Sequence, residues 1–141
     1  MKDLHSNIHT TQVVAPVSHA TGDAAIVGSI IDRANFDSLE YSINIGATTA
    51  TAGTYSVTLD HGDNSALSDA TTVAAPELSG TTANASWVFG DANKTRKIGY
   101  VGSKRYTRMT ITPTDNNGAF LVGVIAIQSN PVNAPTANPP Q

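Results

Sequence analysis

The chain has 141 residues, a formal net charge of −3 and no cysteine. That length suits one ordinary domain with a core of its own, and the missing thiols exclude a disulfide framework, a thiolate metal site and a cysteine nucleophile. Only 13% of residues are charged and 40% are apolar, which excludes charge-driven disorder. No apolar run approaches the roughly 18 residues of a membrane-spanning helix. Met1 to His5 lacks the apolar stretch of a signal peptide, so an intracellular start is expected. The enrichment is in small residues, with 18 Thr, 12 Ser, 19 Ala and 11 Gly against 2 Glu and 4 Lys. Helices need the long polar residues that are scarce here, whereas Thr and Val suit strands and Gly, Asn and Asp suit turns.

Residues 1–9 are polar and read as an N-terminal arm. Gln12–Ala15 and Ala24–Ile31 carry apolar clusters of strand length, and Gly28 marks a bulge in the second. Ser38–Ile45 is the clearest strand, because Leu39, Tyr41, Ile43 and Ile45 alternate with polar residues. Gly53–Asp60 repeats the pattern with Tyr55, Val57 and Leu59, and Gly46–Ala52 between the two reads as a hairpin-like connection. His61–Asn84 is polar and reads as a long excursion with at most a minor strand. Ser86–Phe89 is a short aromatic strand. Lys97–Val101 and Arg105–Thr112 flank Gly102-Ser103, a hairpin turn. Asp115 to Gly118 is a strong turn signal. Gly118–Ile127 is continuously apolar and reads as a strand buried on both faces.

About eight short strands with regular turn signals predict an all-β chain, an antiparallel, jelly-roll-like β-sandwich with extended termini. The expected division is an arm over 1–9, a sandwich over 10–128 and a Pro-rich extended tail over 129–141. The expected core is Leu39, Tyr41, Ile43, Ile45, Tyr55, Val57, Leu59, Trp87, Phe89, Ile111, Leu121 and Ile125. Four of the seven prolines, Pro131, Pro135, Pro139 and Pro140, lie in the tail and favour extended geometry there.

The charge is unevenly distributed along the chain. Lys94, Arg96, Lys97, Lys104, Arg105 and Arg108 supply six of the eight basic residues with no acid among them, leaving −9 on the rest. Strand parity places Lys104, Tyr106 and Arg108 on one face and Arg105, Thr107, Met109 and Ile111 on the other, where Met109 and Ile111 are natural core residues. A solvated face with snorkelling side chains explains such a pattern. So does a docking surface, with Tyr106 as an apolar anchor between two cations. The candidate partner-binding residues are therefore Lys97, Lys104, Arg105, Tyr106, Arg108, Pro131, Pro135 and Pro139. The acidic remainder argues against a dedicated nucleic-acid module.

No arrangement points to catalysis or to a cofactor. His5 and His9 have a helical ligand spacing in a segment with no helical character and lack a third ligand. Asp60, Asp63, Asn64 and Asp69 do not follow an EF-hand order, and Asx turns explain them. Gly99 to Lys104 lacks the spacing of a phosphate loop, and no Gly-x-Ser-x-Gly elbow is present. The expectation is no enzyme, no metal and no cofactor.

Ile98 to Pro113, with Ala25 to Arg33, Leu59 to Ala70 and Pro135 to Pro140, resembles small structural proteins of tailed bacteriophages and prophages. The similarity runs over about residues 20–140 and is sharpest at 96–113. The resemblance implies a virion component, made in the bacterial host cytoplasm, and within that group a head decoration (cement) protein on the capsid surface. It implies the major capsid protein as partner and a homo-oligomer, with a trimer preferred over a dimer. A neck, tail or fibre sandwich that binds another virion protein or a host-surface glycan is the alternative.

Overall fold

The computed structural model describes residues 3–139. The alternating segments become strands: β1 (Ile8–His19), β2 (Ile26–Val27), β3 (Ile31–Asp32), β4 (Phe36–Thr48), β5 (Thr54–Gly62), β6 (Thr71–Thr72), β7 (Leu78–Ser79), β8 (Trp87–Val88), β9 (Thr95–Tyr100), β10 (Tyr106–Thr114) and β11 (Phe120–Pro131). One short helix, α1 (Thr82–Ala85), is capped by Thr81, whose hydroxyl accepts from the Asn84 N–H. All strand pairs are antiparallel.

Two sheets result. The first has the order β1-β11-β4-β9-β7. The second has the order β2-β10-β5-β6, with β3 also on β10 and β8 also on β5. Strands from the chain's beginning pair with strands from its end: β1 with β11, then β2 and β3 with β10, then β4 with β9. This nested pairing, divided between two sheets, is the jelly roll. The all-β sandwich expected from the alternation is therefore the fold.

The winding corrects how the turns work. β4 and β5 lie in different sheets, as do β9 and β10, and β10 and β11. Gly46–Ala52 and Gly102-Ser103 are thus arches between sheets, where hairpins were expected, and the turn Asp115 to Gly118 is an arch as well. Turn chemistry fixes local backbone shape only; which sheet the next strand joins depends on what its apolar face meets.

Between the sheets pack Tyr41, Ile43, Tyr55, Val57, Leu59, Ile98, Tyr100, Met109, Ile111, Val122 and Val124, each nearly or fully buried. The expected core holds at Leu39, Tyr41, Ile43, Ile45, Tyr55, Val57, Leu59, Trp87 and Ile111. Phe89, Leu121 and Ile125 are corrections, at 41%, 42% and 42% exposure. Phe89 begins a 3-10 turn after β8 rather than continuing that strand. Leu121 and Ile125 have the opposite parity to Phe120, Val122, Val124, Ala126 and Gln128, which are the buried residues of β11. β11 is apolar on both faces but covered on one.

The sandwich extends slightly past the expected limits. Ile8 and His9 belong to β1, and Ser129 to Pro131 continue β11 against Ser38 and Phe36. Gly28 sits at the break between β2 and β3. There its N–H bonds the Met109 carbonyl at 2.9 Å, and the Ser29 N–H bonds the Val13 carbonyl at 3.0 Å. The bulge joins the two sheets at their edge.

Candidate functional site

The strand directions bring several distant segments to one pole of the sandwich. β1 and β4 begin there, β11 and β5 end there, and β9 hands over to β10 there. The first and last described segments of the chain, the turn Asp32 to Asn35, the loop Asp63 to Ala70 and the arch Val101 to Arg105 therefore share this end. Of the candidate residues, Lys104, Arg105, Tyr106, Pro131, Pro135 and Pro139 fall at this pole. Arg108 lies one alternate residue farther along β10, and Lys97 sits apart, on the solvent face of the first sheet.

The arch Val101 to Arg105 is held by Arg33. Its guanidinium donates to the Gly102 carbonyl at 2.9 Å and the Lys104 carbonyl at 2.8 Å, and lies 4.7 Å over the Tyr100 ring. The Tyr100 hydroxyl accepts from the Lys104 N–H at 3.0 Å and lies 2.7 Å from His61 Nδ1. Burial pushes the Tyr100 phenol above its ordinary value. His61 stands 3.9 Å from Glu77 on its other side. This buried chain fixes the arch from beneath. Arg33 was not singled out in the sequence. It lies 69 and 71 residues from the carbonyls it binds, so no local pattern marks it.

The arch presents its cations paired. Arg105 makes a two-point bond to Asp32 at 2.9 and 2.8 Å, and Lys104 binds Asp63. Arg108 is 3.9 Å from Asp60, while Lys94 and Arg96 both meet Asp91. The bond from Arg105 holds the Asp32 carboxyl below its ordinary value, and the bond from Lys104 does the same for Asp63. The charge segregation of the sequence is therefore not a segregation in space. Aspartates from other parts of the chain interleave with the basic residues. Exposed pairs of this kind add little stability, but they orient the side chains.

Tyr106 points outward, as strand parity requires, half-buried with the Arg105 guanidinium 5.0 Å from its ring. The Asp69 carboxylate accepts from the N–H groups of Asp63 and Asn64, so the acidic loop is built on Asx bonds. Among the described residues no group of three metal-ligating side chains comes together. His5 lies in a 3-10 turn and His9 packs on Phe36, 5.5 Å between rings.

After Pro131 the tail forms no strand and turns back on the N-terminal segment. The Thr136 N–H bonds the Ser6 carbonyl at 3.0 Å, its hydroxyl bonds the Ile8 carbonyl, and the Val132 N–H bonds the Asn35 carbonyl at 2.9 Å. Pro131 and Pro135 line a shallow groove of about 280 Å³ with His9, Phe36 and Thr136. Pro140 lies outside the described residues. No helix among the described residues is long and apolar enough to cross a membrane.

No protein family model matches the chain, and no curated protein matches it. Solved structures do. The PBSX exported protein XepA superposes with a TM-score of 0.52 at 14% identity, over 85% of this chain and 36% of that one. The infectious bursal disease virus Gx strain structure gives 0.51 at 10% identity, over 91% and 34%. The SPBc2 prophage-derived protein YomS gives 0.40 at 12% identity, over 86% and 93%. The chain thus spans about a third of the first two structures' length. At these identities the likeness is one of fold, a sandwich shared with a virus structure and an exported PBSX protein.

Proposed function

We propose that this chain is a structural protein of a tailed-bacteriophage virion, a decoration protein that binds the major capsid protein on the outside of the head and stabilises it. The observation that carries the reading is the pole: the first and last described segments, the Arg33-braced arch and outward Tyr106 sit together at one end of a jelly roll. Loops and termini at the end of a rigid sandwich are where a scaffold places recognition. Phage-like residues at 96–113 fall on β9, the arch and β10, which build this pole. The fold likeness to a virus structure agrees with a virion role.

On this reading Lys104, Arg105, Tyr106 and Arg108 contact the capsid, and Pro131, Pro135 and Pro139 lie along it. Paired, oriented ions suit register and orientation more than raw affinity. A capsid repeats one site many times, so a modest contact suffices for each copy. The reading assigns the chain no catalysis, no cofactor and no role for nucleic acid.

The test uses heads assembled without this chain. Purified protein is added, the heads are sedimented, and the bound copies are counted. Saturable binding in a fixed ratio to capsid protein is expected, with bound protein cleaved by an added protease while an added nuclease leaves the packaged DNA intact. Recovery in tail fractions, protection inside the head, or no co-sedimentation overturns it.

A further inference from the structure

The solvent face of the first sheet is built unlike an ordinary wet face. β11, second strand in the order β1-β11-β4-β9-β7, carries Leu121, Gly123, Ile125 and Ile127 outward. An antiparallel sheet with one wet face normally alternates apolar-in and polar-out. Here the outward row is apolar, and Leu121 and Ile125 are each 42% exposed. Beside them lies a depression of about 120 Å³ lined by Pro16, Asn44, Gly46, Leu121 and Gly123. Glycine keeps it open: a Cβ at Gly46 would sit 2.9 Å from Leu121 Cβ, and one at Gly123 would sit 2.9 Å from Pro16 Cβ. Knob and hollow are thus neighbours on one strand.

We propose that this face is a two-fold interface between two copies of this chain. Two features of the face select a second copy. First, the outward aliphatics form one contiguous row on β11, so a copy of the same face meets it through the same residues, as an isologous contact requires. Second, the face carries its own counter-charges. Lys97 on β9 stands opposite Ser42, and Glu40 lies one alternate residue along β4. With strands about 4.8 Å apart and alternate residues about 6.7 Å apart, a two-fold axis lying in the contact plane does two things at once. It sets Glu40 against the partner subunit's Lys97 and brings Ile125 close to the partner subunit's Ile125. The strands then cross at a steep angle, the orthogonal class of sheet packing. The area sets the strength: β1, β11 and β4 are long and β9 is short, and faces about 19 Å wide that cross steeply overlap over on the order of 400 Å² per copy, the size of a weak, transient contact.

A three-fold ring joins two different patches and does not use this self-complementarity, so the dimer replaces the trimer as the expected oligomer. The inference is independent of the capsid reading and is tested without particles. Sedimentation velocity of the full chain from about 1 to 200 μM should show a concentration-dependent monomer–dimer equilibrium, as a small, weak interface requires. Ile125→Glu should weaken association at least tenfold, with an unchanged circular dichroism spectrum and melting temperature. Glu40→Lys alone and Lys97→Glu alone should each weaken it, and the double swap should restore it. A second readout, a disulfide between copies of Ile125→Cys under mild oxidation, places the contact at the axis. A monomer at 200 μM, a trimer, a folded Ile125→Glu that associates like wild type, or a double swap no tighter than the singles overturns the proposal.

Discussion

Arg33 does more for the pole than any residue whose charge is visible from outside. It meets two carbonyls of the arch and the face of Tyr100 with one planar group. Lysine cannot reproduce that fork. Arg33→Lys should therefore loosen the arch, with the half-buried carbonyls of Gly102 and Lys104 losing donors at about 1–3 kcal/mol. Amide exchange at Val101 to Arg105 should quicken while β4 stays protected; equal protection in both proteins would contradict the assignment. Acid should act on the same region. Asp32, Asp63 and Asp69 all sit below the ordinary carboxylate value, through bonds from Arg105, from Lys104 and from the Asp63 N–H respectively. A carboxyl lowered by folding contributes stability that is complete above the unfolded value near 4 and disappears as pH falls below it, through the folded value. Protection at the arch, taken relative to the intrinsic exchange rate at each pH, should be flat from about pH 7 to about pH 5 and fall steeply toward about pH 3. A loss of protection centred near neutral pH would assign the arch's stability to some other group.

At the scale of elements, alternation identified β4 and β5 because their inner residues are apolar and their outer ones are not, with no exception along Leu39 to Ile45 or Tyr55 to Leu59. The same alternation placed Tyr106 outside and Met109 inside. It failed on β11, where Leu121 and Ile125 face out among Val122, Val124 and Ala126; an apolar residue on a docking face looks the same in sequence as one in the core. The connections failed differently. An arch and a hairpin use the same Gly and Asn residues, and only the facing sheet distinguishes them. The ion pairs of the pole were also illegible, because Asp32 and Arg105 are separated by 73 residues. Gly28 was legible, and its role can be measured. A Cβ there would meet Val13 Cγ1 at 2.6 Å and the Met109 carbonyl at 2.8 Å, whereas at Gly90 it would meet nothing within 4 Å. Gly→Ala gains about 0.4–1 kcal/mol by stiffening the unfolded chain, and overpacking costs about 1–3 kcal/mol. The clash should win at Gly28 and be absent at Gly90. Gly28→Ala should lower the urea midpoint, and Gly90→Ala should leave it unchanged or raise it slightly. Equal behaviour of the two would mean that the edge between the sheets gives way without cost.

At the scale of the whole molecule, the jelly roll separates two surfaces that the sequence mixes. Lys97 and Arg105 are eight positions apart in the chain, yet one lies on the solvent face of the first sheet and the other at the pole. A dimer built on the sheet face leaves both poles free to meet a particle, and a pair of linked sites binds a repeating lattice more tightly than either alone. Capsid binding should accordingly depend on the pole and not on Lys97. Reversing Arg105 and Arg108 to Glu sets like charges beside Asp32 and Asp60, which are surface contacts, so the fold should persist. Exchanging Arg105 with Asp32 is the sharper variant, because it keeps the local pair and moves only the sign that a partner meets. Both variants should bind heads at least about tenfold more weakly, the scale of losing one interfacial charge pair. Ending the chain after Val132 keeps β11 whole to Pro131 and the Val132–Asn35 bond, but removes Thr136 and its bonds to Ser6 and Ile8. The truncated protein should keep its strand spectrum and occupy fewer sites on the head. If the exchange of Arg105 with Asp32 and the truncation both saturate heads as wild type does, the pole is not the docking site, and binding by Ile125→Glu then decides whether the sheet face takes its place.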